Sequence, residues 1–409
     1  MNRFDAASCL SRRTAAVEEA AIIRMAQRAR DLQAKGRSIV SLTLGEPDFD
    51  TPLHIQAAAT EAMRQGHTHY APVAGIPALR RAIAKKLEAE NGLQYSESEI
   101  VLANGAKQAI TDIVFATIDE GDQAILLAPY WVAYEGILRM AGAAPVILHA
   151  GIEDGFKVSA ARIRDAITPR TKLLFINSPN NPSGAIYSQE ELEEIALVLR
   201  GHPRLLVVSD EIYEYIEFVG KVPSIGALPG MRERTITVNG FSKSFAMTGW
   251  RLGYAAAPAP LTKAIAKVQG TFTAGANAFV QHAAIAALEG GRDDVMRMKQ
   301  SYLQRRAIAV AGLRRIEGIN VSEPQGTFYV FPDVSSLLGR NELMTVDAFC
   351  DWLLDIHGLA VVPGTAFGDD RCIRISFAAG EADLKEGLRR LGQAFGIPST
   401  TTSSPGLTR

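Results

Sequence analysis

The segment Asn239-Gly240-Phe241-Ser242-Lys243-Ser244 puts one lysine on a glycine-flanked turn, and Arg251 follows shortly after. The run Arg234-Thr235-Ile236-Thr237-Val238 alternates like a short strand, so Lys243 falls a few residues past a strand's C-terminal end. Ligands of open α/β sheets bind at that end. An amine held there, partly dehydrated and near a second cation such as Arg251, has a lowered pKa and can form a Schiff base with an aldehyde. The plainer alternative is a solvated loop lysine, which most lysines are.

Four other apolar runs end in residues unusual for a plain turn. Ile100-Val101-Leu102 leads through Asn104-Gly105-Ala106-Lys107 into a helical pattern, and a small-residue turn opening a helix binds phosphate through free N–H groups and the helix dipole. A tight strand-to-helix loop accounts for that turn equally well, and neither G-x-G-x-x-G nor G-x-x-x-x-G-K-[ST] is present. Ala124 to Leu127 runs into Pro129-Tyr130-Trp131, where Trp131 is either a core residue or a face on which an aromatic ligand stacks. Lys172 to Ile176 ends in Asn177-Ser178-Pro179-Asn180-Asn181-Pro182-Ser183-Gly184, a rigid turn offering uncharged amide donors such as Asn181. Leu205 to Val208 ends in Ser209-Asp210-Glu211-Ile212-Tyr213, leaving Asp210 at the edge of a buried strand. A carboxylate there needs a partner, either an internal arginine or a protonated ring nitrogen. Together the five ends supply an amine, a carboxylate, a phenol, an amide, a flat ring and a phosphate cup. Pyridoxal 5'-phosphate requires that set.

The elements that must carry these residues follow from periodicity. Short apolar runs alternate with longer amphipathic segments, which predicts an α/β fold whose mainly parallel sheet is covered by helices. Gln108 to Ile118 and Glu190 to Leu199 have the apolar spacing of crossover helices. An Arg-rich helical pattern from about Arg292 to Ile316 is long enough to bridge two domains, and further strands and helices extend to about Phe395. The expected division is an N-terminal arm with part of a small domain over 1–50, a large domain over 51–290, and an interdomain helix with the rest of the small domain over 291–397. The Ser-, Thr-, Gly- and Pro-rich segment 398–409 has a composition that favours disorder. No internal repeat is evident.

Composition excludes several classes. The 409 residues exceed one ordinary core, and 47% hydrophobic with 21% charged residues is ordinary for a globular protein. A formal net charge of −1 gives no long-range attraction to nucleic acid or to an anionic membrane. Cys9, Cys350 and Cys372 are odd in number and widely spaced, which suits neither a disulfide framework nor a metal site and fits a reducing cytoplasm. Neither a signal-peptide core nor an apolar run of membrane-spanning length is found, so export and membrane insertion are not expected.

The residues also carry a family resemblance over nearly the whole chain. It runs from Leu44-Gly45-Glu46-Pro47-Asp48-Phe49-Asp50-Thr51-Pro52 through Thr68-His69-Tyr70, Ser178 to Gly184 and Ser209 to Tyr213, and on to Gly249-Trp250-Arg251-Leu252-Gly253-Tyr254 and Arg374-Ile375-Ser376. In order and spacing these segments resemble class I aminotransferases of pyridoxal-phosphate fold type I, close to bacterial and archaeal aspartate aminotransferases. The resemblance implies a large domain with a mainly parallel sheet, a smaller α/β domain built from both termini, and a homodimer with shared sites. It implies that Lys243 bonds the cofactor and moves the substrate's proton, that Asp210 keeps the pyridine nitrogen protonated, and that Asn181 and Tyr213 bond the 3-oxygen. Gly105, Ala106, Lys107 and Arg251 would hold the phosphate, together with Tyr70 of the neighbouring subunit, while Trp131 stacks on the ring. Gly45 and Arg374 would grip the α-carboxylate, with Trp131 and Asn181 beside them. Gly240 departs from the pattern, standing where relatives have a phosphate-binding serine, and Ser242 is the nearest substitute.

The reaction implied is transfer of an amino group from an L-amino acid, aspartate or similar, to a 2-oxo acid such as 2-oxoglutarate. Lys107 matches a lysine that reads a distal carboxylate in some aspartate-specific relatives, whereas the Pro, Ser and Thr accompanying it there are Glu19, Ala20 and Ile22 here. Aromatic or alanine-type aminotransferases and a cysteine-conjugate β-lyase are alternatives on the same fold. A serine hydrolase is the rival from another class, since Gly240-Phe241-Ser242-Lys243-Ser244 approaches G-x-S-x-G but has Ser244 in the final glycine's place.

Overall fold

The computed structural model describes residues 6–15, 17, 21–339 and 344–395. The expectations for Glu19, Ala20 and the 398–409 segment lie outside the described residues. Among the described residues twelve strands follow in chain order. They are β1 (Val40–Ser41), β2 (Ile100–Ala103), β3 (Gln123–Ala128), β4 (Ala144–His149), β5 (Thr171–Asn177), β6 (Leu206–Asp210), β7 (Thr235–Gly240), β8 (Gly253–Ala256), β9 (Tyr329–Val330), β10 (Leu359–Ala360), β11 (Val362–Pro363) and β12 (Ile373–Ser376).

Seven of them form one sheet in the order β2-β8-β7-β6-β5-β3-β4. All neighbours are parallel except β8, which runs antiparallel between β2 and β7. The five runs identified from sequence are thus five strands pointing the same way. Two further strands, β4 and β8, did not stand out in the sequence. β4 is an edge strand with an only part-buried face, and β8 is a four-residue stretch of Gly, Tyr and Ala. Helices Ala106–Thr117 and Gln189–Arg200 occupy the expected crossovers. The second is well specified locally: Ser188 accepts from the Glu191 N–H while the Glu191 carboxylate accepts from the Ser188 N–H. β5 and β6 are buried along almost their whole length, as parallel strands covered on both faces must be.

A second body draws on both ends of the chain. β1 pairs in parallel with β10, and β11, β12 and β9 form an antiparallel sheet. Its apolar core joins Met25, Ala29 and Leu42 to Phe328, Phe349, Leu353 and Phe377. Helix Asp293–Leu313, close to the predicted Arg-rich segment, contributes Tyr302, Ala309 and Leu313 to that core. Among the described residues no helix is long and apolar enough to cross a membrane.

Candidate active site

A cleft of about 540 Å³ opens where the large sheet meets the second body, and Gly45, Ala106, Lys107, Trp131, Asn181, Asp210, Tyr213, Lys243, Arg251 and Arg374 all line it. Topology explains the convergence. Gly105, Trp131, Asn181, Asp210 and Lys243 lie at or just beyond the C-terminal ends of β2, β3, β5, β6 and β7, which share one edge of the sheet. Arg251 reaches the same edge because β8 runs the other way and begins there. Arg374 comes from β12 of the second body.

Asp210 ends β6 and is 3% exposed. Its Oδ2 accepts from the Tyr134 hydroxyl at 2.5 Å and its Oδ1 from the Ile212 N–H at 3.2 Å. Among the described residues no cation pairs with it, so the internal arginine that would explain this carboxylate structurally is not there. Burial, partly offset by those hydrogen bonds, pushes its pKa up to about 6.

Lys243 donates to the Gly45 carbonyl. Its side chain opens on the cleft, yet the protein around Nζ withholds water and brings the pKa down to about 8. Glu46 opposes that shift, while Arg374 and then Arg251 add to it. Dehydration, expected from sequence, is the leading cause, and among the cations Arg374 acts ahead of the expected Arg251. Arg251 instead bonds the carbonyls of Thr248 and Asn104 at 3.1 and 3.2 Å.

Gly105 precedes helix Ala106–Thr117 with φ +89°, and a Cβ there would lie 2.5 Å from Arg251 Nη2. Only glycine brings the helix's first turn this close to the guanidinium. The Gln108 N–H already bonds the Gly105 carbonyl at 3.0 Å, while the Ala106 and Lys107 N–H groups at the start of the helix have no carbonyl within it. Lys107 extends over the Trp131 ring, with Nζ 5.1 Å from its centroid. Trp131 is part-buried beside the cleft rather than a core residue.

Arg374 is 1% exposed and has no carboxylate partner among the described residues. Its Nη1 donates to Asn181 Oδ1 at 3.1 Å and its Nη2 to the Thr43 carbonyl at 2.6 Å, while Nε has no partner among the described residues. The guanidinium packs against Tyr329 and Phe367, 4.4 and 4.9 Å from their centroids. Tyr213 shares a 3.0 Å hydrogen bond with Tyr329.

Two expected residues stand apart from this wall. Gly105 lies behind Arg251, and Tyr70 is 94% exposed, lining a different hollow with Asn104 and residues 273–279. Gly240 has a local reason to be glycine, since a Cβ would come within 3.0 Å of Gly253 Cα and of the Leu252 carbonyl on β8. Ser242 lines the cleft and Ser244 does not, and among the described residues no histidine lines it, so a serine–histidine pair of the hydrolase kind is not formed there.

Sequence reasoning missed Tyr134, Tyr329, Asn177 and Thr43. Tyr134 had a weak signal in its three-residue spacing from Trp131 at a helix start. Asn177 falls at the start of a segment whose Pro and Gly content predicts a turn, and its side chain bonds the Asp210 carbonyl at 2.9 Å and the Asn181 N–H at 2.8 Å. Tyr329 and Thr43 act only through tertiary contacts.

Aminotransferase class I and II is the family whose pattern matches residues 37–391. The chain belongs to that family. This aminotransferase is 43% identical, over 97% of its length and 84% of the relative's, to a Petunia hybrida enzyme named bifunctional aspartate aminotransferase and glutamate/aspartate-prephenate aminotransferase. The crystal structure of the Rhizobium meliloti aspartate aminotransferase superposes with a TM-score of 0.92 at 38% identity, covering 94% of this aminotransferase and 98% of that chain. The Thermus thermophilus aspartate aminotransferase solved with maleate gives 0.89 at 41% identity, covering 94% and 99%. The fold read from sequence is therefore the observed one, and the chain is an enzyme that transfers amino groups.

Proposed function

We propose that this aminotransferase uses pyridoxal 5'-phosphate to pass the amino group of an acidic L-amino acid, aspartate or similar, to a 2-oxo acid in two half-reactions. The observation that carries the proposal is Asp210, a carboxylate buried in the same cleft as Lys243 with no ion-pair partner among the described residues. A protonated pyridine nitrogen fits that position, and the turn Gly105–Lys107 with Arg251 fits a phosphate.

When bound, the cofactor supplies an aldehyde carbon for amines and a ring that accepts electrons from the substrate's Cα. The protein's own groups do the rest. Lys243, with a pKa near 8, is partly neutral at physiological pH, and its Nζ can take the proton from Cα and return it. Asp210 holds a proton on the ring nitrogen, while Tyr134 and the Ile212 N–H fix the carboxylate that does so. Arg374, oriented by Thr43 and Asn181, offers the α-carboxylate a planar pair of donors.

Lys107 Nζ is the cation placed to meet a side-chain carboxylate, and the dicarboxylate maleate in the Thermus relative supports that reading. A second reading has its own support. Ile22, Ile23 and Leu44 line the same cleft and suit an aromatic or aliphatic side chain. The exposure of Tyr70 supports a homodimer in which that phenol serves the neighbouring site.

A panel of amino donors, read as half-reactions in the cofactor's absorbance, tests activity and specificity together. Wild-type enzyme should show a visible-edge band fixed by borohydride at Lys243, and Lys243→Ala should lack it. Persistence of a reducible band in Lys243→Ala overturns the assignment. Lys107→Ala should weaken aspartate by about 10-fold while sparing phenylalanine, the loss of roughly one charged hydrogen bond. Equal losses would remove the acidic-substrate reading.

A further inference from the structure

Behind the cleft lies a polar cluster that no step above uses. Lys86 of helix Pro77–Lys86 is 4% exposed at its side chain and pairs with Glu214, whose side chain is 10% exposed. Asn91 accepts from Lys86 Nζ at 2.7 Å and donates to Glu214 Oε2 at 2.8 Å. Glu211, 4% exposed, accepts from Ser209 and Ser224 at 2.9 and 2.6 Å. None of Lys86, Asn91, Glu211, Glu214 and Asn239 lines the cleft.

The cluster's position in the chain gives it a function. Glu211 directly follows Asp210, and its N–H donates to the Val238 carbonyl at 2.9 Å, tying the end of β6 to β7. Asn239, 2% exposed, stands one residue further along β7. Its Nδ2 donates to Glu214 Oε1 at 2.7 Å, while its Oδ1 accepts from the Gly240 N–H at 2.7 Å, where the turn to Lys243 begins. One set of buried bonds therefore fixes the exits of the two strands that present the carboxylate and the amine.

We propose that Glu214 and Asn239 are positioning residues, which set the placement of Lys243 relative to Asp210 through the buried Lys86–Glu214–Asn91 cluster. A buried charge pair is weak evidence for stability but can specify a unique arrangement. Placement matters because a 1 Å displacement of a reacting group costs on the order of 100-fold in rate. The inference rests on the roles given above to Lys243 and Asp210.

Asn239→Ala in the holoenzyme is the deciding test. It cuts the link to the lysine turn yet leaves Glu214 paired with Lys86 and Asn91, so the fold is kept. Turnover should fall about 10-fold, a fraction of that 100-fold, with KM within about twofold, and the pH midpoint of the cofactor band should move. The unfolding temperature should fall by only a few degrees, because two buried hydrogen bonds are lost but no charge is left unpaired. Glu214→Gln should repeat the kinetic pattern, with a loss of stability because Lys86 then lacks its counter-charge.

Unchanged turnover and an unmoved spectral midpoint in Asn239→Ala overturn the inference, whatever happens to stability. A wild-type enzyme without the Lys243-dependent band would instead remove the reading on which the inference rests.

Discussion

The cleft and the cluster behind it treat buried charge in opposite ways. In the cleft, Asp210 and Arg374 are buried without an ion-pair partner among the described residues, held only by neutral donors and acceptors. Behind it, the buried Lys86 meets Glu214. Desolvating a charge is costly, and a partner inside the protein recovers part of that cost. Where the unpaired carboxylate and guanidinium face one cleft, the balance is left for a ligand. Burial without an ion pair is not enough by itself, since Glu211 behind the cleft is also buried without one but is satisfied by the Ser209 and Ser224 hydroxyls.

Substitutions should separate the two regions. The largest effect is expected from Arg374→Leu, which should lower kcat/KM for every α-amino acid by about 10³-fold, as loss of a buried charged contact does. Chemical stability of the fold should hold or rise, because a desolvated guanidinium is removed. A clear fall in unfolding free energy would place Arg374 in the frame instead. Next comes Lys86→Met, which should cost about 3 kcal/mol in denaturant titrations by leaving Glu214 without its cation. If stability is unchanged, the pairing behind the cleft is not what distinguishes the two regions.

The smallest effect is in the pH dependence of the cofactor-free protein. Asp210 rises from 3.8 to about 6 on folding, so its contribution is present below pH 3.8 and lost as pH climbs through 6. Lys243 falls from 10.5 to about 8, so its contribution is present above pH 10.5 and lost as pH descends through 8. Between about pH 6 and 8 both groups are charged and both reduce stability. Thermal unfolding should therefore lose its decline between pH 4 and 6 in Asp210→Asn, and its rise between pH 8 and 10.5 in Lys243→Met. Parallel pH curves for wild type and both variants would mean that neither group is desolvated as described.

Much of this was readable from the chain. Runs of β-branched and aliphatic residues ending in Asp210, Asn181, Trp131, Gly105 and Lys243 determined a parallel sheet and its functional edge, because parallel strands must be apolar and their C-terminal ends coincide. What surrounds each group was not readable. That Asp210 has Tyr134 and, among the described residues, no arginine, that Arg374 leans on Tyr329 and Thr43, and that β8 returns Arg251 to the same edge depend on packing between segments far apart in sequence. The placement of Lys86 against Glu214 is of the same kind. Sequence fixes chemical type and local period, which are properties of neighbours along the chain. Desolvation and partner choice, which decide whether a charge is structural or left for a ligand, exist only once distant segments meet.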